Sequence, residues 1–147
     1  MSSAEILSRL RRFLLIFSLL LFGGAAVELW LVDHTQDPLQ LIAFVLCGLG
    51  SVAALVALLR PRGATVWGLR VCMGLVACGS LLGSYLHVEG NLAFQREINP
   101  NEPSAEMVLS ALGGANPLLA PGILAVAAVL ALAVTYHHPA LGERNND

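Results

Sequence analysis

The chain has 147 residues, 56% of them apolar and 12% charged, with a formal net charge of −2 when histidine is neutral. The apolar residues gather into runs too long for the spacing of a soluble amphipathic domain, which assigns the chain to the membrane class. Lys is absent and the Arg residues hug the ends of the apolar runs, so there is no basic surface for nucleic acid, and the polar connections are too short for a separate soluble domain.

Crossing a hydrocarbon core takes roughly 20 consecutive apolar residues, and the sequence predicts four spans at about 13–32, 39–59, 66–87 and 118–136 within a single membrane domain covering 1–147. Residues 1–12 suit an interfacial turn continuous with the first span. "RLRRFLLIFSLLLFGGAA" has the layout of a secretory signal, with Gly24 and Ala26 at cleavage-site positions. The apolar run continues through Val32, which favours an uncleaved signal anchor over a cleaved one. Trp30 fits the headgroup layer, Pro38 blocks simple continuation, and the second span follows as an antiparallel partner. In "LLRPRGATVWGLR", Pro61 and Gly63 break the helix and Trp67 marks the next interface.

The third span leads into a predicted outer loop, 88–117. A structureless loop of that length is uncommon unless functional or disordered. Within it, "PSAEMVLSALGG" carries helix signals: Ser104 as cap, Glu106 in the first turn, Gly113 and Gly114 as stop. Met107, Leu109 and Leu112 make that short helix apolar enough to lie along the outer membrane surface. "NPLLAPG" then enters the fourth span, with Pro121 tolerable in a first turn. No internal repeat is visible, which weakens an inverted-repeat transporter.

Charge placement orients the chain. Arg9, Arg11, Arg12, Arg60, Arg62, Arg70 and Arg144 all fall on one side, with Arg96 the exception, so the positive-inside rule puts both termini and the turn at 60–70 in the cytoplasm. Asp33, Asp37, Glu89, Glu97, Glu102 and Glu106 then lie outside. Cys47, Cys72 and Cys78 fall within spans without a C-x-x-C pair and read as small packing residues.

Small residues at spacings of four, Gly79 with Gly83 and Gly50 with Ala54, predict close helix packing, as does Gly24 in the first span. Continuing these stripes by four residues reaches His87 and Glu28. An ionisable residue within a span is costly and calls for a named partner. We expect Glu28, His34, His87, Glu89 and Arg96 to form a polar cluster at the outer mouth, with Glu28 within hydrogen-bond or one-water reach of His87 or Arg96. The cluster could be a structural network, a metal or haem site built on His34 and His87, or part of a conduction path. His137 and His138 point about 100° apart on a helix and read as interfacial residues at a helix C-terminus. No nucleophile elbow, intramembrane protease motif or nucleotide-binding glycine pattern is present, so no catalytic residue is expected.

"YLHVEGNLAFQRE", "LLAPG" and "TYHHPAL" resemble a pattern in small uncharacterised bacterial four-span inner-membrane proteins. The resemblance covers roughly the second half of the chain, implies that the long outer loop is a defining feature, and brings no activity, ligand or site residue with it.

The resulting expectation is an all-α integral membrane protein, an antiparallel four-transmembrane-helix bundle with a short interfacial helix in the outer loop between helices 3 and 4. The function expected is that of a non-enzymatic accessory, assembly or stabilising subunit. Its partners would be the lipid bilayer and other membrane subunits or a second copy of itself, met through the helices and the acidic outer loop, with no cofactor. The alternative is a membrane redox, metal or haem-binding protein using the outer His and Glu residues, and a small transporter comes third.

Overall fold

The computed structural model describes residues 2–114 and 118–142, and among these there is helix and no strand. The helices are α1 (Ser3–Leu31), α2 (Pro38–Leu59), α3 (Gly63–Ile98), α4 (Ser104–Leu112), α5 (Leu119–Val134) and α6 (Pro139–Gly142). Three of them, α1, α2 and α3, are long and apolar enough to cross a membrane. Only 28%, 22% and 17% of their most apolar windows is buried in the protein. Leu20, Val45 and Leu81 are among the many large apolar side chains left exposed. Such a surface is compatible with contact to lipid and costly in water.

Local chemistry fixes the helix ends. Ser2 and Glu5 form a capping box at the start of α1, the Glu5 N–H donating to Ser2 Oγ at 3.3 Å and the Ser2 N–H to Glu5 Oε2 at 2.8 Å. Past α1 the chain turns through Asp33, whose φ of 53° is left-handed and tolerable for Asp. Asp37 Oδ1 then caps α2 by accepting from the Leu39 N–H at 2.7 Å, with Pro38 in the first turn where its missing N–H costs nothing.

α1 packs against α2 and α5, and α3 against α2 and α5, around one core. The inward face of α1 is Leu15, Ser18, Phe22, Ala25 and Leu29, a 3-4-3-4 spacing that keeps one stripe turned inward. It meets Cys47 and Ala54 from α2, Met73 and Val76 from α3, and Ala127, Ala128 and Ala131 from α5. Close approach is visible at two glycines. A Cβ on Gly50 would stand 2.6 Å from the Phe22 ring, and one on Gly79 2.5 Å from Leu46 Cδ1. Ala54 is fully buried, and a Cβ on Gly83 would make ordinary contact with Pro121 at 3.5 Å. Gly24 is different: it is exposed with nothing within 4 Å of its Cβ position, so it takes no part in helix packing.

The largest departure from the sequence reading is α3. The predicted loop 88–117 is helical as far as Ile98. At about 1.5 Å per residue the 36 residues of α3 span about 54 Å, against about 30 Å for a hydrocarbon core. Hydropathy falls at His87 because the helix leaves its apolar stretch; the helix itself stops where Pro100 forces Asn99 out of α geometry, to φ −131° and ψ 64°. The short helix α4 lies inside the expected segment, but its N-cap is Pro103, with Ser104 already in the first turn and no side-chain cap. Residues 115–117, and the tail carrying Arg144, lie outside the described residues.

Candidate functional site

The connections and charges separate the molecule into an acidic end, with the α1–α2 turn, the second half of α3 and α4, and a basic end, with the start of α1, the α2–α3 turn and the end of α5. At the acidic end the structure brings His34 and His87 together, ring centroids 6.3 Å apart and planes inclined by 44°. His34 is positioned by its N–H, which donates to the Leu29 carbonyl at 2.9 Å. Burial, and secondarily the charge of His87, hold the His34 imidazole below its ordinary pKa.

Among the described residues, the other three residues expected in this cluster make no hydrogen bond or ion pair with either imidazole. Glu28 is exposed, and among the described residues its carboxylate makes no hydrogen bond or ion pair with His87 or Arg96. The reason is phase: Leu29 points inward, and the residue before it is turned about 100° away on the helix. Glu89 stands two residues past His87 and so on the far side of α3. Arg96 does not fold back, because it lies nine positions past His87 on the same helix, about 13 Å further along the axis. Arg96 instead sits in the last turn of α3, where a cation offsets the helix dipole. Among the described residues no three His, Cys, Asp or Glu side chains are grouped to hold a metal ion, and a catalytic zinc site takes three protein ligands. The two imidazoles would need ligands from elsewhere.

Asn91 carries no site role in the sequence reading, yet it organises this end. It is buried, and its Nδ2 donates to the Ala111 carbonyl at 2.9 Å, fastening α4 to α3. Gly114 gives it room, since a Cβ there would stand 2.6 Å from Asn91 Cγ. Ser110 Oγ donates to Glu102 Oε1 at 3.1 Å, closing the turn between α3 and α4. An Asn about one turn beyond the end of the apolar stretch, at a position that stays helical, is the available signal.

The basic end carries the best-defined polar geometry. Arg70 Nε donates to Thr135 Oγ1 and its Nη2 to the Thr135 carbonyl, both at 2.9 Å. Arg11 Nη2 donates to the carbonyls of Tyr136 at 3.2 Å and His137 at 3.0 Å. Two guanidinium groups from α1 and α3 thereby donate to the carbonyls of Thr135, Tyr136 and His137, where α5 ends. His137 takes a left-handed φ of 43°, and His138 Nδ1 accepts from the Ala140 N–H at 3.3 Å. Burial, then the Arg11 charge, hold His138 below its ordinary pKa. Beside these groups opens a cavity of about 770 Å³ bordered by α1, the α2–α3 turn and the chain after α5.

Comparison with family models, curated proteins and solved structures returned no match.

Proposed function

We propose that the chain is a four-span protein of the bacterial inner membrane, termini cytoplasmic, that serves as a non-enzymatic accessory or stabilising subunit and binds another membrane protein through its acidic end. The observation carrying this reading is the length of α3, 36 residues. A helix that long runs about 24 Å past a hydrocarbon core of ordinary thickness. The projecting part is a rigid arm braced by α4, and it exposes Phe94, Ile98 and Leu109 among the carboxylates Glu89, Glu97 and Glu106. Apolar side chains above the lipid, ringed by acid groups, fit a partner whose facing surface has an apolar centre and a basic rim. The fourth crossing is supported by the Arg11 contacts, which hold the end of α5 beside the start of α1.

Photo-crosslinking from positions 94 and 109 in native membranes tests this, with position 45 on the lipid-exposed face as control. A discrete adduct with one other membrane protein from 94 or 109, weakened when Glu89, Glu97 and Glu106 are changed to Gln, is the expected result. Lipid adducts alone from all three positions would refute the reading.

The 6.3 Å separation of the His34 and His87 rings favours one second reading, a metal or haem protein with those imidazoles as ligands. Elemental analysis and an absorption spectrum of the purified protein decide it: stoichiometric metal or a Soret band that disappears in His34→Gln supports it, and neither signal removes it.

A further inference from the structure

We infer that the cavity at the basic end binds the phosphate headgroup of an anionic phospholipid, with Arg12 and Arg62 as the phosphate ligands. Arg11, Arg12 and Arg62 border this one cavity of about 770 Å³, and among the described residues no carboxylate lines it. Arg11 is committed to the carbonyls past α5. Among the described residues the guanidinium groups of Arg12 and Arg62 hydrogen-bond to nothing, and both are exposed. Three like charges around one opening repel one another, and an anion between them offsets that repulsion. Guanidinium suits a phosphate in particular, because its paired N–H groups match two phosphate oxygens. Basic pockets between transmembrane helices are recognised headgroup sites.

The floor decides for a lipid over free phosphate. It is made of Leu15, Val66, Leu69 and Val134, all core residues no more than 4% exposed. A small inorganic anion has no apolar part to set against such a floor, whereas the glycerol and first acyl carbons beneath a lipid phosphate do. Depth agrees: Trp67 follows Val66 directly and is exposed, as an indole in the headgroup layer would be.

Native mass spectrometry of the full chain in detergent, titrated with phosphatidylglycerol, phosphatidylcholine or inorganic phosphate, tests the assignment. One phosphatidylglycerol should be retained in preference to phosphatidylcholine, and millimolar inorganic phosphate should not displace it. An arginine near an anionic headgroup counts for about fivefold in binding, so Arg12→Gln with Arg62→Gln should weaken retention by about 25-fold. Arg9→Gln with Arg60→Gln removes the same charge from outside the cavity and should leave it within about twofold. A chain ending at Gly142 should bind as the full chain does, because the described lining residues all lie at or before Ala140. Circular dichroism of each variant checks that it is folded. Equal retention of the two lipids, displacement by inorganic phosphate, or an equal loss in the two double variants would each overturn the inference.

Discussion

Arg70, one third of the way along the apolar part of α3, reaches across to Thr135 and makes two hydrogen bonds of 2.9 Å, one to its hydroxyl and one to its carbonyl. Thr135 is buried, and its hydroxyl in turn donates to the Leu132 carbonyl at 2.8 Å. Arg70→Ala removes both of these bonds, leaving the Thr135 carbonyl only the His138 N–H at 3.3 Å, and should cost about 1–2 kcal/mol, the scale of a hydrogen bond to a charged group reduced for a membrane setting. Arg70→Lys keeps the charge but cannot make both bonds and should recover about half. A double-mutant cycle with Thr135→Val, read by thermal unfolding in detergent, checks that the loss belongs to this pair: additive losses would show that it does not.

Glycine substitutions separate packing from mere abundance of small residues. Gly50 faces the Phe22 ring, which is fully buried and has nowhere to turn, so Gly50→Ala should destabilise by about 1–3 kcal/mol. Gly79 faces the far end of Leu46, a side chain able to change rotamer, so Gly79→Ala should cost less. Gly24 faces open space, and there alanine should stabilise by up to about 1 kcal/mol through helix propensity alone. The order of the three melting temperatures in detergent is the measurement, and a Gly24→Ala loss equal to that of Gly50→Ala would contradict it.

Asn91→Leu should release α4 while leaving the rest folded. The Ala111 carbonyl keeps a second bond from the Gly114 N–H at 3.2 Å, so the global cost should be small, about 1 kcal/mol. Hydrogen exchange across 104–112 should accelerate with little change in α1 or α2. Unchanged protection of α4 would show that the Asn91 bond does not hold it.

Much of this architecture is legible in the sequence because hydropathy reports contact with lipid directly: the starts and ends of α2 and the beginning of α3 follow from it. It is silent on where a helix ends once it has left the lipid. The stop for α3 was written at Asn99 and Pro100, eleven residues past the last apolar run, and only a reading of helix breakers apart from hydropathy finds it. Rotation is a second blind spot. In a helix apolar on every side, such as the first, the inward stripe cannot be phased from polarity, so small-residue spacing puts Gly24 and Glu28 inward where Phe22 and Leu29 hold that face. Long-range pairings are harder still: depth alone offers His34, His87 and Arg96 as partners for Glu28, none of which bonds to it among the described residues, and it shows Arg11 and Arg70 only as topogenic charges. Their partners lie 125 and 65 residues away, and no local pattern links them.

Acidification should weaken the fold through His34. Its folded pKa lies below the ordinary 6.5, from burial first and the His87 charge second. The unfolded chain therefore takes up a proton near pH 6.5 that the folded state binds only at lower pH, so stability falls as pH drops through that interval and is unaffected above it. His138, lowered by burial and Arg11, adds a contribution of the same sign at the basic end. Melting temperature against pH should slope downward below about 6.5, less so in His34→Gln and least in the His34→Gln, His138→Gln double variant. Parallel curves for all three would mean that neither histidine titrates differently on folding.

The basic end should lie wholly on one side of the membrane. Arg11 in the first turns of α1 bonds the carbonyls of Tyr136 and His137 just past α5, so the start of the chain and the end of α5 share a face, and the turn at 60–62 borders the same cavity. α5 itself has 16 residues, about 24 Å, some 6 Å short of an ordinary hydrocarbon core. Local thinning of the bilayer, or snorkelling of the flanking Arg11 and Arg70 side chains, can absorb that mismatch at fractions of a kcal/mol per Å. With Cys47, Cys72 and Cys78 replaced, single cysteines at Ala64, Asn101 and Gly142 report the outcome. An impermeant maleimide added to intact cells should label position 101 and reach 64 and 142 only after permeabilisation. Labelling of 142 together with 101 would mean that α5 does not cross, and that the Arg11 contacts do not form in the membrane.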